Sequence, residues 1–127
     1  MKYDQLPLTT PKGRVLTVEN AVIKSVSLTI ADHGVLSGWL QIKFKSGQCG
    51  FGGYILGKVN AYTAGSHDFA ADFIIRSMQI MDVEKWEDIP GCPLRCLHEG
   101  LGGGIVAIGN FLGDDWFCPC EEWKDFS

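Results

Sequence analysis

Apolar residues return at alternate positions on both sides of a short loop, Asp32-His33-Gly34, and that arrangement points to an antiparallel hairpin. From residue 16 to 30 the even positions carry Leu16, Val18, Val22, Val26, Leu28 and Ile30, and the odd ones include Thr17, Glu19, Ser25, Ser27 and Thr29. From 35 to 45 the even face is again apolar (Leu36, Leu40, Ile42, Phe44), with Ser37, Gln41, Lys43 and Lys45 opposite. A period of two marks a strand with one face in a core. Residues paired across such a hairpin share a face, so their numbers sum to an even value. A two-residue turn would pair Ala31 with Gly34 and set core against solvent. A three-residue loop pairs Ala31 with Val35, and Gly34 suits the left-handed third position of that loop. The register then sets Ser27 against Trp39, Val26 against Leu40 and Val22 against Phe44.

Two features of this region bear on function. Trp39 falls on the polar face, where it is either covered by a terminus, a loop or a second subunit, or serves as an aromatic platform. The third strand follows in "GQCGFGGYILG", residues 47–57, with glycine at five of eleven positions. Glycine inside a strand marks a bend, a bulge or the close approach of a backbone or ligand. The stretch lacks the spacing of a phosphate-binding loop, and no helix follows it directly. Gly52, Gly53 and Tyr54, with His33 of the hairpin loop and Trp39, are the candidate ligand-binding residues.

The pattern changes period at residues 67–83, "HDFAADFIIRSMQIMDV". Asp68, Asp72, Arg76 and Gln79 draw one narrow polar stripe, Ser66 or Gly65 can cap the start, and Asp72 with Arg76 makes an i,i+4 pair. A helix so apolar is expected to be covered on more than one side, which makes a homo-oligomer the expectation. A short turn in "VEKWEDIPG" ends at Pro90-Gly91, and two strands follow near 92–98 and 105–112. The expected fold is therefore α+β, a mainly antiparallel sheet in the order β-β-β-α-β-β packed on one long helix. All 127 residues form one domain, with an acidic, aromatic C-terminal segment at 114–127.

Charge and cysteine usage narrow the function classes. A net charge of −4 argues against a broad nucleic-acid surface, although Lys43 and Lys45 beside Trp39 make a partial case. No apolar run reaches the ~20 residues needed to cross a bilayer, and the N-terminus lacks a signal-peptide core, so a cytoplasmic location without membrane contact is expected. Five cysteines form an odd set and read as reduced thiols. Cys96 with His98, and Cys118 with Cys120, are couples that together would make a tetrahedral zinc set. Neither has the usual Cys-x-x-Cys spacing, and buried thiols otherwise behave as small hydrophobes, so no metal and no cofactor is expected. Nothing aligns His33, His67 or His98 with a nucleophile and an acid, so no catalytic residues are assigned.

The words "VENAVIKSVSLTIADHG", "GFGGYILG", "FIIRSMQ" and "VEKWEDIPG", in that order, resemble a group of small bacteriophage- and prophage-encoded proteins. The resemblance runs from about Glu19 to Phe117, and "DHG", "GFGGY" and "EKWED" are its most specific elements. It implies an accessory phage protein acting inside a bacterium, one that antagonises a host factor or defence system by binding a protein or a nucleotide signal. It carries over no catalytic residues. A zinc-stabilised nucleic-acid or protein interaction module is the alternative expectation, and a small enzyme the second.

Overall fold

The computed structural model describes residues 16–31, 34–45, 47–54, 56–58, 69–99 and 104–123. Strands β1 (Thr17–Ala31), β2 (Val35–Phe44) and β3 (Gly47–Gly52) come first, followed by a two-residue strand β4 (Gly57–Lys58). Helix α1 (Phe69–Met81) and a 3-10 turn at Trp86–Asp88 precede β5 (Pro93–His98), β6 (Ile105–Asn110), β7 (Trp116–Phe117) and the four-residue helix α2 (Pro119–Glu122). All the strand pairs are antiparallel, in the order β3-β2-β1-β5-β6-β7, and β4 joins β2 beyond the end of β3. The mainly antiparallel α+β architecture is as expected, with β4, β7 and α2 added. The single long helix is not: α1 spans 13 residues and α2 four. Residues 67 and 68, where the helix was expected to start, lie outside the described residues, as do its candidate caps.

The C-terminal end of α1 has a specific cause. Asp82 stands at φ 56°, in the left-handed region, and the Val83 N–H donates to Met78 O at 3.1 Å. That six-to-one bond closes a Schellman turn and stops the helix two residues short of the apolar pattern.

The hairpin register holds over its upper half. Ala31 pairs with Val35, Ser27 with Trp39 and Val26 with Leu40, and Gly34 stands at φ 76°. Below Ser25 it shifts, because a bulge at Lys24 inserts one residue into β1 between the pairs Ile23–Ile42 and Ser25–Gln41. One extra residue flips every side chain beyond it to the other face. Phe44 therefore pairs with Ala21 and not with Val22. Ile23 is buried, whereas Val18 and Val22, expected in the core, are 46% and 37% exposed. Glu19, expected to face solvent, turns to the inner side.

The main core gathers residues from every layer. Phe51 of β3, Phe73 of α1 and Phe117 of β7 are fully buried, and their ring centroids are 5.9–6.2 Å apart. Ile23, Leu40, Ile42, Ile80, Ile89, Leu94 and Ile108 surround them. A smaller cluster of Leu16, Leu97, Ala107, Trp116 and Cys118 packs separately. Among the described residues no helix is long and apolar enough to cross a membrane.

Arg76 ties α1 to the C-terminal segment. Its guanidinium donates to both carboxylate oxygens of Asp115 (3.0 and 3.1 Å), to Glu122 Oε1 (3.2 Å), to Gln79 Oε1 (2.8 Å) and to Trp116 O (2.7 Å). Four of these five bonds link α1 to the C-terminal segment, and the bond to Gln79 stays within the helix. Part of the acidic segment expected at 114–127 is in this way bound to the body of the domain.

Candidate functional site

On β2 the alternation sends Ser37, Trp39, Gln41 and Lys43 to the outer face. Their cross-strand partners complete three rows: Ser27–Trp39–Gly52, Ser25–Gln41–Gly50 and Val22–Lys43–Gln48. Within this face the Trp39 indole lies across β3, over Gly50 and Gly53. A methyl group on Gly50 would sit 2.8 Å from Trp39 Cε3, and one on Gly53 would sit 2.7 Å from Trp39 Cη2. Only a glycine leaves room for the ring at either place. Gly52 has a different reason: at φ 131° a side chain there would run into the backbone carbonyl of Gly38. The Gly53 N–H donates to that same oxygen at 2.9 Å. The glycines of "GFGGY" therefore form a trough that holds one tryptophan and a bend that keeps the trough against β2.

The indole has one face on backbone and remains 37% exposed. Lys43 and Lys45 are exposed on and just beyond this face. The bulged Lys24 reaches Gln48 Oε1 at 3.4 Å, which brings a third ammonium to the row of Lys43, two rows along from Trp39. An immobilised indole stacks on a planar ring, and ammonium groups beside it attract an anion.

Of the five candidate ligand-binding residues, the structure brings together Trp39, Gly52 and Gly53. Tyr54 packs with the core instead, edge-on to Phe51 (6.2 Å) and to Trp123 (5.5 Å). Burial, then Cys120 and Cys118, push its hydroxyl from 10.0 to about 12. His33 lies outside the described residues.

The alternative metal set falls into two separate couples. On β5, His98 is buried, its Nε2 is 2.7 Å from Glu19 Oε2, and its ring stacks on Phe44 at 4.7 Å. Cys96 pairs directly with Glu19 across the strands. Cys118 and Cys120 sit at the start of α2 with their sulfurs 3.2 Å apart. Among the described residues no group of three or more His, Cys, Asp or Glu side chains could hold a metal ion. Glu19 and Arg76 were the organising residues that sequence reasoning missed. No local signal marked Glu19, because Ala21, Val22 and Ile23 are all apolar and the shift that turns Glu19 inward follows from the bulge at Lys24.

The buried thiols give this protein a sign of pH dependence. Cys96 and Cys118 are both raised from 9.0 to about 12, chiefly by burial, with Glu19 adding for Cys96 and Cys120 for Cys118. Between pH 9.0 and about 12 the folded chain keeps protons that the unfolded chain releases, so stability falls as pH rises through that window. Urea midpoints are expected to be lower inside the window than near neutrality, with a shallower decline in Cys96→Ala. A midpoint independent of pH across it would contradict this placement of the thiols.

The chain matches no protein-family profile, no curated protein and no solved structure.

Proposed function

We propose that this chain is a non-enzymatic binding protein of the phage accessory type, which takes a small nucleotide on the Trp39 face and thereby antagonises a bacterial host factor or defence system. The observation that carries the reading is the half-exposed indole held on Gly50 and Gly53 in a face that also carries Lys43. A base stacks on the open indole face, and the phosphates lie toward Lys43, Lys45 and Lys24. Stacking on an aromatic side chain contributes about 1–3 kcal/mol per base. Trp39→Ala is therefore expected to weaken nucleotide binding roughly tenfold to a hundredfold, and added salt to weaken it further. Titration with linear and cyclic nucleotides, read by tryptophan fluorescence and calorimetry, checks this. Saturable binding that Trp39→Ala leaves unchanged would place the ligand elsewhere, and no binding by any nucleotide would remove the reading.

We also propose self-association. On the inner face of the hairpin Leu28 and Ile30 are 40% and 60% exposed, and Ile75 stands exposed on α1. Light scattering is expected to give a particle larger than one chain, reduced by Ile30→Lys. A single-chain mass at high micromolar concentration would exclude it.

A further inference from the structure

All five cysteines carry free thiols, yet they are not equivalent. Cys118 is buried and Cys120 is exposed, and the two are separated in sequence only by Pro119, which is itself buried at the first position of α2. Their sulfurs stand 3.2 Å apart, and a disulfide needs ~2.05 Å. A movement of about 1.2 Å joins them, within the reach of side-chain rotation at the exposed residue. Cys92 by contrast directs its thiol to Asp88 O at 3.3 Å, and Cys96 is fully buried.

We propose that Cys118 and Cys120 form a reversible dithiol–disulfide couple, closed by exchange with a small-molecule disulfide and reopened by a thiol reductant. The accessible Cys120, as thiolate, attacks one sulfur of the small disulfide. The disulfide bond breaks, one small thiolate leaves and a mixed disulfide forms on Cys120. Cys118 then gives up its proton to solvent and attacks the Cys120 sulfur. The mixed disulfide breaks, the second small thiolate leaves, and the intramolecular bond is made. Two protein thiols are oxidised, one small disulfide is reduced to two thiols, and the protons released by the cysteines balance those taken up by the leaving thiolates. The second step involves the Cys118 thiol, which burial pushes up to about 12, so it quickens toward alkaline pH.

Closure has a defined route into the fold. The Cys118 N–H donates to Glu122 Oε2 at 3.0 Å, and Glu122 Oε1 accepts from Arg76 at 3.2 Å. Trp123 follows at the end of α2, against Tyr54 and Phe69. A bond across Cys118 and Cys120 therefore acts on the Arg76 clasp and changes the surroundings of a fluorescent residue.

The test incubates the whole protein with oxidised glutathione at mildly alkaline pH, alkylates the remaining thiols and maps the peptides by mass. The expected product has lost two hydrogens in the peptide holding both cysteines, resists alkylation there until dithiothreitol is added, and shows altered tryptophan emission. Cys118→Ser, checked for an unchanged melt, is expected to stop at a glutathione adduct on Cys120. The proposal is overturned if the unsubstituted protein stops at that adduct, if both thiols remain open to alkylation, or if the disulfide formed joins other cysteines.

Discussion

Phe73→Ala is expected to lower the free energy of unfolding by about 3–5 kcal/mol, the usual range for deleting a fully buried aromatic side chain. Phe73 is a central apolar contact between α1 and the sheet. Its ring stacks on Phe51 at 6.2 Å, meets Phe117 edge-on at 6.2 Å and lies 6.4 Å from Trp86. It also presses on Gly38, where a methyl group would sit 2.8 Å from Phe73 Cε1. Glycine at 38 and phenylalanine at 73 are thus one fit between β2 and the helix. Because glycine has no side chain to relax into the space, the cavity left by alanine stays open. Ile75→Ala on the same helix, at an exposed position, is expected to change the stability of the single chain by about 0.5 kcal/mol or less at a concentration too low for association. Denaturant unfolding measures both, and equal losses would mean that α1 does not dock through this face.

Gly52→Ala is expected to cost about 3 kcal/mol or more, and Gly53→Ala less, for separate reasons. At Gly52 the obstacle is the Gly38 carbonyl, a backbone group that cannot swing aside without breaking its bond to the Gly53 N–H. At Gly53 the obstacle is the Trp39 ring, and the left-handed backbone at φ 75° adds about 1 kcal/mol. A double-mutant cycle separates these contributions. In a Trp39→Ala background the Gly53→Ala loss is expected to shrink toward the backbone share, whereas the Gly52→Ala loss stays. Identical losses in both backgrounds would show that Gly53 does not carry the indole.

How far the sequence could be read depended on whether a signal was local. The hairpin from Val26 to Leu40 was legible because alternation and the length of one loop together determine a register. The bulge was not, since Ala21, Val22 and Ile23 are all apolar and either parity reads as a core face. The structure resolves this by burying Ile23 and turning Val22 outward, and Glu19 follows Ile23 inward to meet His98. Trp39 and the glycines were each visible as oddities, but the register that sets Trp39 across from Gly52 comes from the structure. Missing was the reach of the indole along β3 to Gly50 and Gly53, which depends on a side-chain orientation. The closeness of Cys118 and Cys120 was local and legible. Whether they meet Cys96 and His98 depended on tertiary placement, and no spacing rule could decide it.

If Trp39 stands at a binding face, chemical-shift mapping of the folded protein reveals it. The folded protein would be titrated with the tightest-binding nucleotide while its backbone amides and indole N–H groups are followed. The indole signal assigned to Trp39 is expected to move most among the four tryptophans, with the amides of Gln41, Lys43, Gln48, Gly50 and Gly53 moving alongside it. Shifts gathered instead around Tyr54, Trp123 and α2, with the Trp39 indole unmoved at saturation, would contradict the account.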